Sequence, residues 1–235
     1  EALILQKIAN FTGAKLVNED ARRYHEFLKN YTKTSGKSLY SSKLSQVHNS
    51  NFVISVGSYL KSDLPNARYA FNNSVIMNKG AGLYFHPIAD PVMEKIGKKG
   101  KTTEFIYHDV MVEESILYFI LYKFAKDLPV ETQSYIDSLK ETKTKTVTEV
   151  IKENIVEIVV DEATGEEKEV KKVVSKNIST EVSYEYTSLV ADFGKDENFL
   201  DLLNDMLAKK DTFSLMVGED LITHPNSENL AKLCG

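Results

Sequence analysis

The segment from Phe52 to Pro91 constrains the fold of this chain more strongly than any other part of the sequence. It reads FVISVGSYLKSDLPNARYAFNNSVIMNKGAGLYFHPIADP. The unbroken apolar run from Phe52 to Val56 is typical of a central parallel strand that is covered on both faces. A helical stripe follows between positions 66 and 77, and GLYFHP indicates a second strand. Since such a unit crosses over right-handed, the sequence predicts an α/β fold with a parallel sheet.

Helices and strands continue to alternate along the rest of the chain. Apolar periodicity predicts a first helix in ALILQKIANF, which ends at Gly13, because glycine readily adopts the left-handed conformation found at helix ends. Further helices are predicted over residues 18–31, 112–125 and 199–207, and a third strand over residues 102–109. Residues 32–45 are rich in Ser, Thr, Lys and Gly, which predicts a surface loop. The last segment, FSLMVGEDLITHPNSENLAKL, predicts a strand, a loop and a final helix.

The composition changes between residues 141 and 183, where β-branched and charged residues alternate. This alternation around the central DEATGEE predicts a β-hairpin with Gly165 in its turn. We expect its Lys and Glu side chains to form cross-strand pairs, and an exposed hairpin of this length is also a candidate docking arm. We therefore assign residues 1–140 to the first part of an α/β domain, residues 141–183 to an inserted β-hairpin, and residues 184–235 to the remainder of the domain.

Charge and hydropathy exclude several classes of function. The net charge of -5 argues against nucleic-acid binding, which requires a concentrated basic face. The sequence contains neither the run of about 18 apolar residues typical of a membrane helix nor a signal peptide, so we expect an intracellular protein without direct membrane insertion. Because the chain begins with Glu1 and stops within an apolar helical pattern, we expect it to be a piece of a longer polypeptide.

The sequence offers little to bind a metal. Cys234 is the single cysteine, so the chain cannot supply the thiolates of an iron–sulfur cluster or of a cysteine zinc site. The five histidines never recur at the spacing of three or four residues that would place two of them on one helix face. We therefore predict no metal site.

A pocket is expected beyond the carboxyl ends of the predicted strands, because ligands of parallel sheets bind there. Gly57, Ser58, His86 and Pro87 fall at these ends. The dinucleotide fingerprint requires three glycines spaced GxGxxG, however, and VGSYLKSDLP supplies Gly57 alone. Ser58 lacks the second glycine of a nucleophile elbow. The pair Gly57 and Ser58 is therefore interpreted as a tight turn.

Five stretches in the same order resemble the molybdopterin oxidoreductase domain of the formate dehydrogenase and nitrate reductase type. They are LQKIANFTGA, NSNFVISVGSYLKSDLPNARYAFN, KGAGLYFHP, YHDVMVEESILYFILYKFAKDL and FSLMVGEDLITHPNSENLAKLCG. Within that superfamily the chain is most similar to the large peripheral-arm subunit of bacterial NADH-quinone oxidoreductase, respiratory complex I. The resemblance covers nearly the whole chain except the hairpin, and it implies a Rossmann-like three-layer parallel sheet of the formate dehydrogenase/DMSO reductase type.

The chain departs from the active members of this superfamily at their cofactor contacts. Active members carry a cysteine, selenocysteine or serine that ligates molybdenum after the first helix, whereas the corresponding GAKLVNEDARRY has none of these residues. They also follow the second strand with Asp-Pro-Arg, which contacts the guanosine of the pterin, whereas this chain has His86, Pro87, Ile88 and Ala89. The resemblance thus implies a domain that has the fold of the molybdopterin enzymes without their cofactor.

The function implied by the resemblance is that of a structural scaffold. The parent subunit carries iron–sulfur clusters outside this chain, so electrons would pass from NADH to quinone without a cofactor here. The implied partners are the other subunits of complex I, and the implied location is cytoplasmic, peripheral to the inner membrane. No catalytic residue is expected, and the rim of a vestigial pocket would comprise Gly57, Ser58, His86, Asp90 and His224. The alternatives are a working molybdopterin- or nucleotide-binding oxidoreductase domain and an unrelated α/β binding module.

Overall fold

The computed structural model describes residues 2–38, 42–160 and 167–235. The described chain divides into two compact units. One is a two-stranded ribbon, Lys140–Thr187, and the other comprises the described residues on either side of it. The larger unit is the mixed α/β unit that the sequence predicts.

The core of the larger unit is a four-stranded parallel sheet. Its strands are β1 (Phe52–Val56), β2 (Ala81–Phe85), β3 (Thr103–Ile106) and β6 (Phe213–Val217), in the order β3-β2-β1-β6. In register, Phe52 lies opposite Ala81 on one side and Phe213 on the other. Consecutive strands run outward from β1 to β3, and β6 is added on the opposite side of β1. This arrangement is compatible with a Rossmann-like fold, whose ligand crevice lies where the strand order reverses, here between β1 and β6.

Helices lie at both faces of this sheet. On one face, Val53, Tyr84 and Phe105 join a buried cluster with residues of α3 (Leu44–Asn49) and α4 (Pro65–Asn72). On the other face, Phe52 and Phe85 contact the rings of Phe124 and Phe193. The strands β1 and β2 are completely buried, as their unbroken apolar sequences predict.

The predicted helices of the larger unit are present with small shifts at their ends. They are α1 (Ala2–Thr12), α2 (Glu19–Ser35), α4, α5 (Glu113–Phe124) and α8 (Glu197–Leu207). A π-helical turn, Asn73–Met77, continues α4. Gly13, with φ of 71°, follows α1 as predicted.

Two segments predicted as loops contain helices. The predicted loop over residues 32–45 is wrong at both ends, because α2 continues to Ser35 and α3 begins at Leu44, while residues 39–41 of that loop lie outside the described residues. The αL residue that ends α2 is Gly36, whose N–H donates to Thr32 O at 3.0 Å. The predicted loop after β6 contains the short helix α9 (Glu219–Thr223). Short helices of this length carry too few periodic positions to be recognised from sequence.

The larger unit contains three more α-helices among its described residues, and the last of them is the final helix that the sequence predicts. They are α6 (Val130–Ser138), α7 (Leu189–Asp192) and α10 (Ser227–Cys234). α10 packs against α2 and α5. Among the described residues, no helix is long and apolar enough to cross a membrane.

The ribbon consists of two antiparallel strands, β4 (Lys140–Val160) and β5 (Glu167–Thr187). It therefore begins one residue before the predicted hairpin and continues four residues beyond it. The predicted turn residue Gly165 lies outside the described residues. Near the end of the ribbon where Lys140 pairs with Thr187, the ammonium groups of Lys143 and Lys145 lie 3.5 and 5.1 Å from the ring centroids of Tyr186 and Tyr184.

Candidate functional site

The carboxyl ends of β1 and β6 meet through two glycines. Gly218 N–H donates to Val56 O at 2.8 Å, and Asp220 N–H donates to Gly57 O at 3.1 Å. A Cβ atom on Gly218 would lie 1.9 Å from Gly57 O, so only glycine permits this approach. Gly57 itself has φ of 69°, which also favours glycine. We call the place between β1 and β6, where the strand order reverses, the reversal point of the sheet. These backbone contacts close the reversal point at the carboxyl ends of the two strands.

Two cavities open beside this glycine contact. Their volumes are about 330 and 450 Å³, and Ser58, Leu64 and Val217 line both. These volumes are typical of sites for small molecules. Ser58 is 4% exposed and holds its place through its backbone, because Tyr84 Oη donates to Ser58 O at 2.9 Å. Burial raises the pKa of Tyr84 above its ordinary range, so the phenol remains a donor.

The larger cavity has an acidic lining. Among the described residues that line it, Asp20, Asp63 and Glu219 are acidic and Arg23 is the one cation. Arg23 Nε already lies 3.3 Å from a carboxylate oxygen of Glu19. A phosphate group in this cavity would face three carboxylates and one partly neutralised guanidinium. The electrostatics therefore disfavour a pyrophosphate or another anion.

His86 lies at the end of β2 and faces the helix that follows β6. Its Nε2 lies 3.4 Å from Asp220 Oδ2, and its Nδ1 lies 3.0 Å from the backbone N and O of Ile88. Burial is the largest single influence and lowers the pKa of His86. Hydrogen bonding to the Asp220 carboxylate and to the Ile88 backbone, together with the charges of Asp220 and Asp63, outweighs burial, so the pKa is raised above its ordinary value. This contact ties β2 to α9 across the carboxyl edge of the sheet.

Asp90 organises the loop after β2. The residue is fully buried, and its carboxylate accepts the backbone N–H groups of Lys61, Val92 and Met93 at 3.0 to 3.1 Å. A carboxylate with three backbone donors is committed to holding two loops together, the one after β1 and the one after β2. Asp90 is therefore a structural residue here.

His224 forms a second pair between an imidazole and a carboxylate. Its Nε2 lies 3.5 Å from Glu113 Oε2 at the start of α5, and both side chains are more than nine-tenths buried. His224 Nδ1 accepts the N–H of Asn226 at 2.9 Å. Asp220 lies in the first turn of α9, and His224 follows its last residue. The contact with His86 therefore ties the start of α9 to β2, whereas His224 Nε2 and Glu113 Oε2 are buried side by side beyond its end without a hydrogen-bond partner among the described residues.

The structure brings the five predicted rim residues to one edge of the sheet but gives them different roles. Ser58 lines both described cavities, Gly57 forms the backbone contact, and His86, Asp90 and His224 connect neighbouring segments. Sequence reasoning missed Gly218, Asp220 and Glu113. A signal for Gly218 was present, because VGSYL after β1 and VGEDL after β6 repeat the same pattern of valine, glycine and a polar residue.

Within the part of the chain that the structure describes, no group of three or more His, Cys, Asp or Glu side chains is arranged to hold a metal ion. The chain matches no protein-family model. It also matches no curated protein sequence. The class that fold and site define is accordingly a mixed α/β protein with a parallel, Rossmann-compatible sheet and an acidic cavity at its reversal point.

Proposed function

We propose that this chain is a cofactor-free scaffold domain of the large peripheral-arm subunit of NADH-quinone oxidoreductase, related to the molybdopterin oxidoreductase domains. The resemblance of five ordered sequence stretches supports this proposal. The parallel sheet with the order β3-β2-β1-β6 is compatible with the same fold. The single observation that carries the scaffold role is the way the reversal point of the sheet is closed.

A dinucleotide or pterin pyrophosphate is normally held by free backbone N–H groups at the end of the first strand and the start of the next helix. Here Gly57 N–H donates to Phe85 O at 3.2 Å, and Asp220 N–H donates to Gly57 O. The helix after β1 begins only at Pro65, which has no N–H. The amides of Gly57 and Asp220 are thus used within the protein, and the neighbouring cavity presents carboxylates.

In this proposal the domain supports electron transfer without taking part in it. The iron–sulfur clusters would lie in other parts of the parent subunit, since Cys234 is the single cysteine of the chain. Its partners would be other subunits of complex I, on the cytoplasmic side and peripheral to the inner membrane. The rigid sheet and helix α9 would hold the surfaces that these partners contact.

The scaffold proposal is tested by native purification of the tagged chain from its own cells. We expect NADH-oxidising subunits to copurify, measured as NADH-dependent ferricyanide reduction in the eluate, together with no stoichiometric molybdenum by elemental mass spectrometry. Chromatography after oxidative release should detect no pterin guanine dinucleotide. Stoichiometric pterin or molybdenum would overturn the cofactor-free role, and an eluate without NADH oxidation would overturn the assignment to complex I.

The second candidate function is a working molybdopterin- or nucleotide-binding oxidoreductase domain. The 450 Å³ cavity beside Ser58 favours it, because the cavity lies at the position where related folds bind ligands. Ser58→Trp would fill space shared by both cavities, whereas Ser188→Trp, on a residue that lines neither, is the matched control. A nucleotide that raises the melting temperature of the wild type and of the control, but not of Ser58→Trp, would establish this second function.

A further inference from the structure

The strand β6 leaves one edge of the sheet open. Among the described residues β6 pairs with β1 alone, and the side chains of Phe213 and Leu215 are 49% and 39% exposed. Both point to the same face, because they are two residues apart on a strand. An open strand edge with exposed apolar side chains is a template for pairing with another strand.

The charges at the two ends of this edge have opposite signs. Lys209 precedes β6, Glu219 follows it, and both are exposed. Their neighbours are already engaged, since Lys210 Nζ donates to Lys79 O at 2.8 Å, Asp211 Oδ1 accepts from Asn51 Nδ2 at 2.7 Å, and Asp220 faces His86. The end before β6 thus carries two cations and one anion and is positive overall, whereas the end after β6 carries the two anions Glu219 and Asp220.

We propose that the β6 edge pairs with the β6 edge of a second copy of this chain, antiparallel and about a two-fold axis. A strand that runs in the opposite direction brings its anionic end to Lys209 and its cationic end to Glu219. The β6 segment itself has this pattern, so its charges are complementary to those of its own copy. The occupant of the edge is thus identified by charge complementarity, which favours correct pairing and disfavours the parallel alternative.

Symmetry limits the register of this pairing, and the charges and apolar side chains select one register among those that remain. A two-fold axis perpendicular to the sheet keeps every side chain on its own face, so the paired residue numbers must have the same parity. Ser214 opposite the partner's Ser214 places Phe213 beside the partner's Leu215 and brings Lys209 to the end that carries the partner's Glu219. The two exposed apolar residues then cover each other, and two four-stranded sheets become one continuous sheet.

The contact is small, so the dimer is expected to be weak. An interface built on one short strand buries less than the roughly 1,200 Å² of a standard stable interface. We therefore expect monomers at low concentration and reversible dimers at high concentration. This inference goes beyond the proposed function and concerns the chain alone in solution.

Sedimentation equilibrium of the whole chain over a wide range of concentration tests the proposal. The weight-average mass should rise reversibly from 26.5 kDa towards twice that value. Leu215→Lys should abolish the rise, because it places a charge on the shared apolar face. A mass that stays at 26.5 kDa at the highest soluble concentration would overturn the proposal.

Charge reversal tests the antiparallel register and separates it from other dimers. Lys209→Glu and Glu219→Lys each bring like charges together, so each should weaken association at least tenfold. The double variant exchanges the two signs and should recover the association of the wild type. Lys101→Glu, an equal change on an exposed loop residue outside the edge, is the control and should leave association unchanged.

Other outcomes of the charge reversal contradict the proposal. If both single variants dimerise as the wild type does, the contact lies elsewhere on the molecule. If the double variant stays monomeric while its circular dichroism spectrum is that of the wild type, Lys209 and Glu219 do not meet across the axis. Each result is read at matched protein concentration and ionic strength, because exposed charge pairs are screened by salt.

Discussion

The two edges of the parallel sheet are closed to different degrees. At one edge, every residue of β3 is buried, and Glu104 Oε1 accepts from Lys195 Nζ at 2.8 Å. At the other edge, β6 leaves Phe213 and Leu215 exposed. Both strands contain apolar residues, but apolar sequence alone does not decide which edge is covered. Whether an edge strand is buried depends on segments distant in sequence. At β3, the segment that carries Lys195 is one of them.

This contrast shows two ways of treating a strand edge. The β3 edge is covered and carries an inward charge that is paired, a combination that resists further strand pairing. The β6 edge keeps its apolar residues accessible, and its nearby charges do not interrupt them. The first edge is buried within the fold, whereas the second carries the exposed apolar side chains on which the proposed pairing depends. The predictions below test this difference.

The largest expected effect comes from the same truncation at the two edges. Phe105→Ala in β3 removes a ring that is 2% exposed and should lower the free energy of unfolding by about 4 kcal/mol. Phe213→Ala in β6 removes a ring that is 49% exposed, so its cost should be about 1 kcal/mol. Chemical denaturation of both variants measures the two costs. Equal costs would show that the β6 edge is covered in solution.

The second prediction concerns the joint that attaches β6 to β1. Gly218→Ala places a Cβ atom 1.9 Å from Gly57 O, so backbone must move, and the free energy of unfolding should fall by about 3 kcal/mol. Gly13→Ala is the control, since an added Cβ there meets no atom within 4 Å and the cost is only that of φ at 71°, about 1 kcal/mol. Denaturant titration compares them, and a Gly218 variant as stable as the control would mean that the glycine contact is loose.

The third prediction concerns the ion pair at the closed edge. Lys195→Met keeps the aliphatic stem but leaves the Glu104 carboxylate buried without its partner, so stability should fall by about 2 kcal/mol. Adding Glu104→Gln removes the uncompensated charge and should restore most of the loss. Thermal unfolding of the single and double variants measures the recovery. No recovery in the double variant would indicate that packing, rather than charge, closes this edge.

Much of the larger unit could be predicted from the sequence because its signals are local. The apolar runs in β1 and β2 are long enough to indicate buried strands, and Gly13 marks the end of α1. The exposure of Leu3 and Phe11 in α1, at 74% and 92%, could not be predicted. Apolar periodicity shows which face of a helix is apolar, but it does not show whether another segment packs against that face.

The candidate site was less predictable because it depends on contacts between distant segments. Gly57 and Ser58 were found from the turn after β1, a local signal. The partners of His86 and His224, which are Asp220 and Glu113, lie 134 and 111 residues away along the chain. Only the fold brings these imidazoles and carboxylates together. Spacing rules for helices and strands carry no information at such separations.

The smallest expected effect is the pH dependence of the contact between His86, at the end of β2, and Asp220 in α9, the helix that follows β6. Burial lowers the pKa of His86, but the Asp220 carboxylate, with smaller contributions from the Ile88 backbone and Asp63, more than offsets burial, so the pKa is raised in the folded protein. The stabilisation is therefore fully present below the unfolded pKa of histidine, about 6.5, and is lost as the pH rises through the folded pKa. Asp220→Asn should remove most of this contribution, because Asp220 supplies both the side-chain hydrogen bond and a nearby charge that raise the pKa of His86. Unfolding measured at pH values of about 5 and about 9 should show a difference in the free energy of unfolding between wild type and variant that narrows at the higher pH.

Asp205→Asn, an exposed change on α8, should show no such narrowing. Since Asp220 is 45% exposed, added salt should reduce the gap at low pH. A gap that is the same at both pH values would mean that Asp220 stabilises α9 through its position near the helix start and not through His86.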